Sequence, residues 1–281
     1  SLGPDTPTDF DAGKYIQLEK TFSADFVKYI PAGLYEDLTL AFGAQWTEES
    51  FEIVAGEQAS WEVGPYVDQL SNGSNGFPGF QPQTAGTSTR RNYAAYIDVE
   101  AEFTEHLLGA LALRFEDYDS FGTTTNYKLT GQYRINDDWA IRASTSSGFR
   151  APTVGQANVS NVRTELNQGV LVDVGVLPPT NPVAVLKGAT ELTPEESTSY
   201  ALGLVYSGYD FFITADFYRI DVDDRISQST AFEVTEQDIA DLKAAGVRGI
   251  DSLTSITYLT NDFDTRTQGL DIVANYSMDA F

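Results

Sequence analysis

The chain of 281 residues has no cysteine and one histidine. The first absence removes disulfide frameworks, thiolate nucleophiles and thiolate-held zinc or iron–sulfur sites. The second leaves His106 as the only imidazole, which removes almost every His-based metal site or triad. Positive charge is scarce: 17 Lys and Arg stand against 41 Asp and Glu, a formal charge of −24, which argues against nucleic acid as a partner because phosphate binding needs a basic patch. No apolar run approaches the roughly 20 residues of a membrane-spanning helix. Residues 1–10 show neither an initiator Met nor a basic-then-apolar signal segment, so the sequence reads as a start inside a longer chain. At 42% hydrophobic, with 15 Tyr, 17 Phe and 3 Trp, it is too apolar and aromatic to be a disordered acidic polymer.

What is present is alternation with a period of two. In Tyr93–Phe103 the odd positions are Tyr93, Ala95, Ile97, Val99, Ala101 and Phe103, and the even ones include Asp98, Glu100 and Glu102. The pattern recurs in Leu107–Phe115, Tyr127–Ile135, Trp139–Phe149, Tyr200–Tyr206, Phe211–Phe217 and Leu270–Tyr276, and upstream in Phe22–Ile30 and Leu38–Trp46. About nine strands follow. Connections near Pro31–Asp37, Thr104–His106, Asn136–Asp138 and Ser207–Asp210 are short, whereas those at about 55–88, 116–125, 151–195 and 223–254 are longer, three of them far beyond ordinary loop length. All long loops then lie at one end of an antiparallel up-and-down meander. This predicts an all-β, partial transmembrane β-barrel, about nine strands of a larger one.

The aromatics give a second line of argument. Phe103, Tyr133, Trp139, Tyr206, Phe211 and Tyr276 fall near the short-turn end of the apolar face, and Tyr93, Phe115, Tyr127, Tyr200 and Phe217 near the long-loop end. Two such girdles match the two interfaces of a bilayer; the same aromatics would also plug the ends of a soluble barrel or sandwich. The opposite face, with Asp98, Glu100, Glu102, Arg114, Lys128, Gln132, Arg134 and Arg142, is too polar for a dry core and is expected to face a lumen. Its mixed signs, Glu100 and Glu102 beside Arg114 and then Lys128 and Arg134, suggest a cross-strand ladder or an ordinary solvated face.

Chemistry is sparse. His106 sits in a short turn, where a solvated role outweighs general-base work. Asp137/Asp138 and Asp223/Asp224 are adjacent carboxylates at turns; Asp221, Asp223 and Asp224 lack the EF-hand spacing for calcium. No P-loop, dinucleotide fingerprint or nucleophile elbow occurs, so no catalytic, cofactor or metal residue is expected. Thr235-Glu236-Gln237-Asp238 has the form of a capping box, with Ile239 and Leu242 on one helical face and Gly246 as a stop, which predicts a loop helix.

The stretch Phe121-Gly122-Thr123-Thr124-Thr125-Asn126-Tyr127-Lys128-Leu129, then Tyr133-Arg134-Ile135-Asn136-Asp137-Asp138-Trp139, Arg142-Ala143-Ser144 and Gly148-Phe149-Arg150-Ala151-Pro152-Thr153, resembles the barrel of TonB-dependent outer-membrane receptors. Arg91-Asn92-Tyr93-Ala94-Ala95-Tyr96 and Thr267-Gln268-Gly269-Leu270-Asp271 with Asn275-Tyr276 support it. The resemblance implies a 22-stranded barrel of the Gram-negative outer membrane, filled by an N-terminal plug, that imports a scarce ligand (metal chelate, cobalamin or saccharide) with energy from the TonB complex. Residues 1–281 would then be part of the barrel domain without the plug, partnered by outer-membrane lipid, by the plug and remaining strands, and by TonB through an N-terminal part. Arg150 continues the polar parity of Arg142, Ser144 and Ser146 toward the mouth, where it would meet a plug or ligand or make a rim salt bridge. Loop 55–88 has Glu57, Glu62 and Asp68 and no Lys or Arg, and loop 223–254 has seven acids against Arg225, Lys243 and Arg248, which favours neutral or cationic ligands over anionic chelates. Two alternatives stay open: a passive porin or adhesin-like barrel, and a secreted β-sandwich binding carbohydrate through Trp46, Trp61 and Tyr66.

Overall fold

The computed structural model describes residues 2–66, 73, 79–167, 170–247, 250 and 253–278. Alternating sequence becomes long antiparallel strands: β1 (Lys14–Ile30), β2 (Leu38–Val54), β3 (Gly86–Thr104), β4 (Leu107–Tyr118), β5 (Gly122–Arg134) and β6 (Trp139–Arg150). After a helix α1 (Gln58–Trp61) between β2 and β3 and a helix α2 (Val154–Asn158) after β6 come β7 (Asn161–Asn167) and β8 (Val170–Val176), then α3 (Pro182–Leu186). The chain continues as β9 (Glu195–Gly208), β10 (Phe211–Gln228), β11 (Phe232–Glu233), α4 (Glu236–Ala244), β12 (Leu253–Thr257) and β13 (Leu259–Tyr276). The wall is one nine-stranded antiparallel sheet in the order β1-β2-β3-β4-β5-β6-β9-β10-β13. The nine expected strands are these nine.

The turns at one end are short, and one of them uses backbone that side chains rarely adopt. Tyr209 and Asp210, between β9 and β10, take φ of 50° and 65°, the mirror-type hairpin conformation that matches strand twist. In the Asn136–Asp138 turn the Asn136 side chain accepts from the backbone N–H of Asp138 and Trp139 at 3.0 and 2.9 Å.

The expected loop boundaries need correction. Segment 116–125 is largely strand, since β4 runs to Tyr118 and β5 begins at Gly122. Segment 223–254 starts as strand, because β10 continues to Gln228 past a register shift where Asp224 takes φ of 55°. The cause is cross-strand hydrogen bonding: pairing outlasts the two-faced hydrophobic pattern that marks a strand in sequence.

Loops 151–195 and 223–254 fold together. Their β11, β12, β8 and β7 form a four-stranded sheet in that order, with β12 and β8 parallel. Leu177, Val183, Ala184, Leu242, Leu253, Ile256 and Tyr258 belong to one buried cluster within it, with Ile239 packed against them. The capping box forms at α4, where Thr235 accepts from the N–H of Asp238 at 3.2 Å and Asp238 accepts from that of Thr235 at 2.7 Å. Gly246, at φ 88°, follows the helix as its stop. Among the described residues this is the hydrophobic core of the molecule, and no strand of the large sheet contributes a buried residue to it. A sandwich needs a second sheet over the apolar face, and among the described residues that face is uncovered, with Phe22 79% exposed.

Candidate functional site

Register decides which side chains share a face. Phe22, Trp46 and Tyr93 stand in one row across β1, β2 and β3, and Trp139–Tyr206–Ile213–Ala274 in another across β6, β9, β10 and β13. Continuing the pairing puts Tyr93, Phe103, Phe115, Tyr127, Tyr133, Trp139, Tyr200, Tyr206, Phe211, Phe217 and Tyr276 on one face of the sheet. Most of these rings are exposed there. The loop-side border of this apolar face is not level in register. Phe217 stands in the row of Ala101, whereas in β3 itself the border lies at Tyr93. From β3 to β10, five strand steps, the border slips by eight residues, as expected of strands inclined to a flat layer.

Asp98, Glu100, Glu102, Arg114, Lys128, Arg134 and Arg142 share the other face. The suggested ladder among them does not form. Arg114 stands between Tyr96 and Asn126, and Asp98 and Lys128 flank Ala112. Arg134 donates to the backbone carbonyl of Glu105 at 3.4 Å. The ion pairs use partners that adjacency in sequence does not indicate. Arg142 binds Asp216 on β10 with both arms of its fork, at 2.9 and 2.7 Å, over the intervening β9. That path is open because the β9 residue beneath is Gly203, where a Cβ would lie 2.1 Å from the Asp216 carboxylate. Tyr96 reaches Asp25 at 2.7 Å in the same way over Gly43.

At the loop end this face closes into a buried polar cluster. Arg90 is 8% exposed, donates to Glu49 at 2.9 Å through Nε, and lies 5.2 Å from the Tyr118 ring centre. Glu116 accepts from Asn92 at 3.0 Å and from the Tyr118 hydroxyl at 2.8 Å, and also binds Arg114. The Gly148–Thr153 segment leaves β6 here, and its residues hold the departure. Gly148 faces Ser197, Phe149 meets the Tyr118 and Phe121 rings edge-on, and Arg150 binds Glu195 bidentately at 2.7 and 2.5 Å. Ala151 is half-buried, the carbonyl of buried Pro152 accepts from Arg90, and Thr153 caps α2 in a capping box with Gln156. Helix α2 thus lies back against β2 and β3. Beneath it is a cavity of about 210 Å³ lined by Thr89, Arg90, Phe121, Pro152, Asn158 and Leu192, among others.

Sequence reasoning missed Arg90, Glu49, Glu116, Glu195 and Asp216. Their one signal was parity: each sits on the polar face of its strand, Asp216 within the alternating run Phe211–Phe217 and the other four on strand ends continued past the hydrophobic pattern. In the loop module, Lys187 binds Asp238 at 2.6 Å, and this ion pair together with Thr235 holds the Asp238 carboxyl down at about 2. Tyr258 donates to the Lys187 carbonyl at 2.9 Å, and its burial raises its phenol above the ordinary value.

Other expected chemistry is dispersed. His106 is exposed in its turn, 6.4 Å from the Tyr133 ring. The Asp221 carboxylate is occupied by Arg219 and Arg266. Among the described residues no three His, Cys, Asp or Glu groups gather as a metal site. Trp46 lies in β2 whereas Trp61 belongs to α1, with its indole N–H on the Gly56 carbonyl at 3.1 Å, and Tyr66 lies beyond it. Asp68 and Arg248 fall outside the described residues.

A family model described as TonB-dependent receptor-like, beta-barrel matches residues 4–281. This chain belongs to that family. Among curated TonB-dependent proteins it is 23% identical over 203 residues to a probable siderophore receptor PirA of Acinetobacter baumannii, covering 72% of this chain and 25% of that protein. It is 26% identical over 145 residues to the vitamin B12 transporter BtuB of Vibrio cholerae, covering 51% of this chain and 19% of that protein. The chain therefore spans about a quarter or less of these relatives' length. The crystal structure of the siderophore receptor PirA from Pseudomonas aeruginosa superposes with a TM-score of 0.62 at 14% identity, covering 92% of this chain and 40% of that one. These relatives are named as receptors and transporters, and the fold they share with this chain is the TonB-dependent barrel wall.

Proposed function

We propose that this chain forms part of the wall and the extracellular mouth of an outer-membrane TonB-dependent uptake receptor. The observation that carries the reading is the exposed apolar band, bordered by aromatics, on the face opposite the charged one. Phe22–Ile30, Leu38–Trp46 and Leu107–Phe115 each span it. At about 3.3 Å per residue and a tilt of about 35–45°, such segments cover roughly 20–25 Å, the height of the apolar belt of an outer-membrane barrel. Tyr93, Phe115, Tyr127, Tyr200 and Phe217 form the outer girdle, and Phe103, Tyr133, Trp139, Tyr206, Phe211 and Tyr276 the periplasmic one. Asp98, Glu100, Glu102, Arg114, Lys128, Arg134 and Arg142 face the lumen, where a plug domain is the partner.

Strands of 17–19 residues, as in β1, β2, β3, β10 and β13, exceed the about 9–11 that cross a bilayer. Their loop-side ends rise as a collar, and the module of β7, β8, β11, β12, α3 and α4 sits at that end as the ligand-facing cap. The cargo is a scarce ligand of the metal-chelate, cobalamin or saccharide class. The acidic loops favour neutral or cationic forms.

Deleting the gene in its host tests this. Loss of growth on one scarce nutrient, restored by the gene only when the TonB complex is intact, is the expected result. Uptake that persists without the TonB complex would identify a passive pore instead.

A further inference from the structure

The nine-stranded wall is not paired to one height. Beyond the outer aromatic border, β1–β2 and β2–β3 stay in register up to Lys14–Val54 and Ile53–Gly86, and β6–β9 and β9–β10 up to Arg150–Glu195 and Glu196–Asp223. The β5–β6 ladder stops at Lys128–Ser146, one residue short of the border residue Tyr127. Both strands go on past that point on their other sides, β5 paired with β4 to Gly122 and β6 with β9 to Arg150. The wall therefore parts between β5 and β6. It parts at the height where hydrocarbon ceases to demand that every backbone group be paired.

Side chains take over along the parting. Ser147 Oγ accepts from the backbone N–H of Tyr127 at 3.0 Å, a local bond that competes with the ladder, and Gly148 follows with no side chain to pack on a neighbour. Phe149 has the parity of the apolar band. Its ring nonetheless meets Tyr118, whose hydroxyl reaches Glu116 on the polar face, at 5.9 Å, and Phe121 at 6.5 Å. The ring thus fills the parting. The cavity beneath α2 straddles it too: Thr89, Arg90 and Phe121 come from the β1–β5 side, and Pro152, Asn158 and Leu192 from the other. The cap belongs to one side, since β7, β8, β11, β12, α3 and α4 all lie in the connections β6–β9 and β10–β13.

We infer that the β5–β6 parting is a hinge line. Above the outer girdle, β6, β9, β10 and β13 swing with the cap as one body against β1–β5, and Phe149 is the latch between the two halves. The zipped ladder from Lys128–Ser146 to Arg134–Ala140 is the fixed end. Arg90 on the Pro152 carbonyl and Gln81 on that of Val162, the latter at 3.4 Å, tether the halves beside the cavity. An interface of a few side chains over free volume can take two arrangements, whereas a continuous ladder with one buried face holds a single register. The inference goes beyond the uptake reading and rests on it only for which end faces outward.

The test is pulsed electron double resonance on the full-length receptor in detergent, with spin labels on exposed positions; these 281 residues contain no cysteine, so introduced thiols stand alone in them. Asp117→Cys with Glu196→Cys spans the parting, and Thr87→Cys with Asp117→Cys lies within the β1–β5 half. The spanning pair should show a short and a longer distance, and the control pair one narrow distance. Phe149→Ala removes two ring contacts and should raise the ratio of long to short about 10-fold, leaving the control pair unchanged. Phe149→Leu, which keeps an apolar latch, should fall between. A single narrow spanning distance in both the wild type and Phe149→Ala would overturn the hinge, as would equal broadening of the control pair, which would mark general loosening of the collar. Should Phe149→Ala not fold, the two label pairs in the wild-type background decide between a hinge and a rigid wall. Recovery of the wild-type protein in the outer-membrane fraction is scored separately, so failure of the membrane reading is told apart from failure of the hinge.

Discussion

Arg142 and Asp216 are joined across a strand that separates them, over the bare backbone of Gly203. The two strands that carry them, β6 and β10, are not neighbours; β9 runs between. An ion pair of this reach fastens three strands at once, and it depends on one residue having no side chain. Tyr96, Gly43 and Asp25 repeat the device across β3, β2 and β1.

Gly203→Ala should therefore act through Arg142 and Asp216. The new methyl enters the space of the carboxylate and forces the fork apart, at a cost of about 1–3 kcal/mol. In an Arg142→Ala/Asp216→Ala background the same substitution should cost much less. A thermodynamic cycle on the detergent-folded receptor, read by urea unfolding, measures that coupling. Strict additivity would mean that Gly203 serves some other purpose.

Arg90→Ala should release the segment after β6. The side chain is buried, and its loss leaves both Glu49 and the Pro152 carbonyl short of a donor, a change of about 3 kcal/mol. Hydrogen exchange should quicken across residues 151–158 while the strand centres stay protected. Arg90→Lys should rescue little, since a single ammonium cannot address two acceptors as a fork does.

Leu111 sits mid-band between Val99 and Leu129, and Thr130 lies on the opposite face of the neighbouring strand. Leu111→Arg should cost about 2–4 kcal/mol in folding into bilayers, and Thr130→Arg should be close to neutral. Comparable penalties at the two positions would contradict the assignment of faces.

Asp238 sets a pH dependence for the loop module. Its carboxyl is held at about 2 against an ordinary 3.8, so the folded state favours the ionised form. The stabilisation is fully present above the ordinary value and is lost as pH falls through about 2. Proteolytic resistance of residues 229–258 should be flat from neutral pH to about 4 and then decline. Asp238→Asn should abolish that decline.

How much of this was written in the chain itself varies by element. Period-two alternation, as in Tyr93–Phe103, is a local consequence of pleated backbone, so strand identity, the two faces and the lengths of the turns could be read residue by residue. The loop helix was equally legible, because a capping box closes within one turn. The family resemblance rested on the same local stretches, above all Gly148–Thr153. Three things depended on tertiary structure. Strand ends such as Asp223–Gln228 are held by partners distant in sequence. The loop module needs two segments, 151–195 and 223–254, to bury Leu242 and Val183 together, and neither has an apolar face large enough alone. Arg142 found Asp216, and Arg90 found Pro152, because strand order and register bring together positions that no spacing along the chain reveals. Local backbone preference fixed the strands by itself; which charges meet was decided only when the sheet formed.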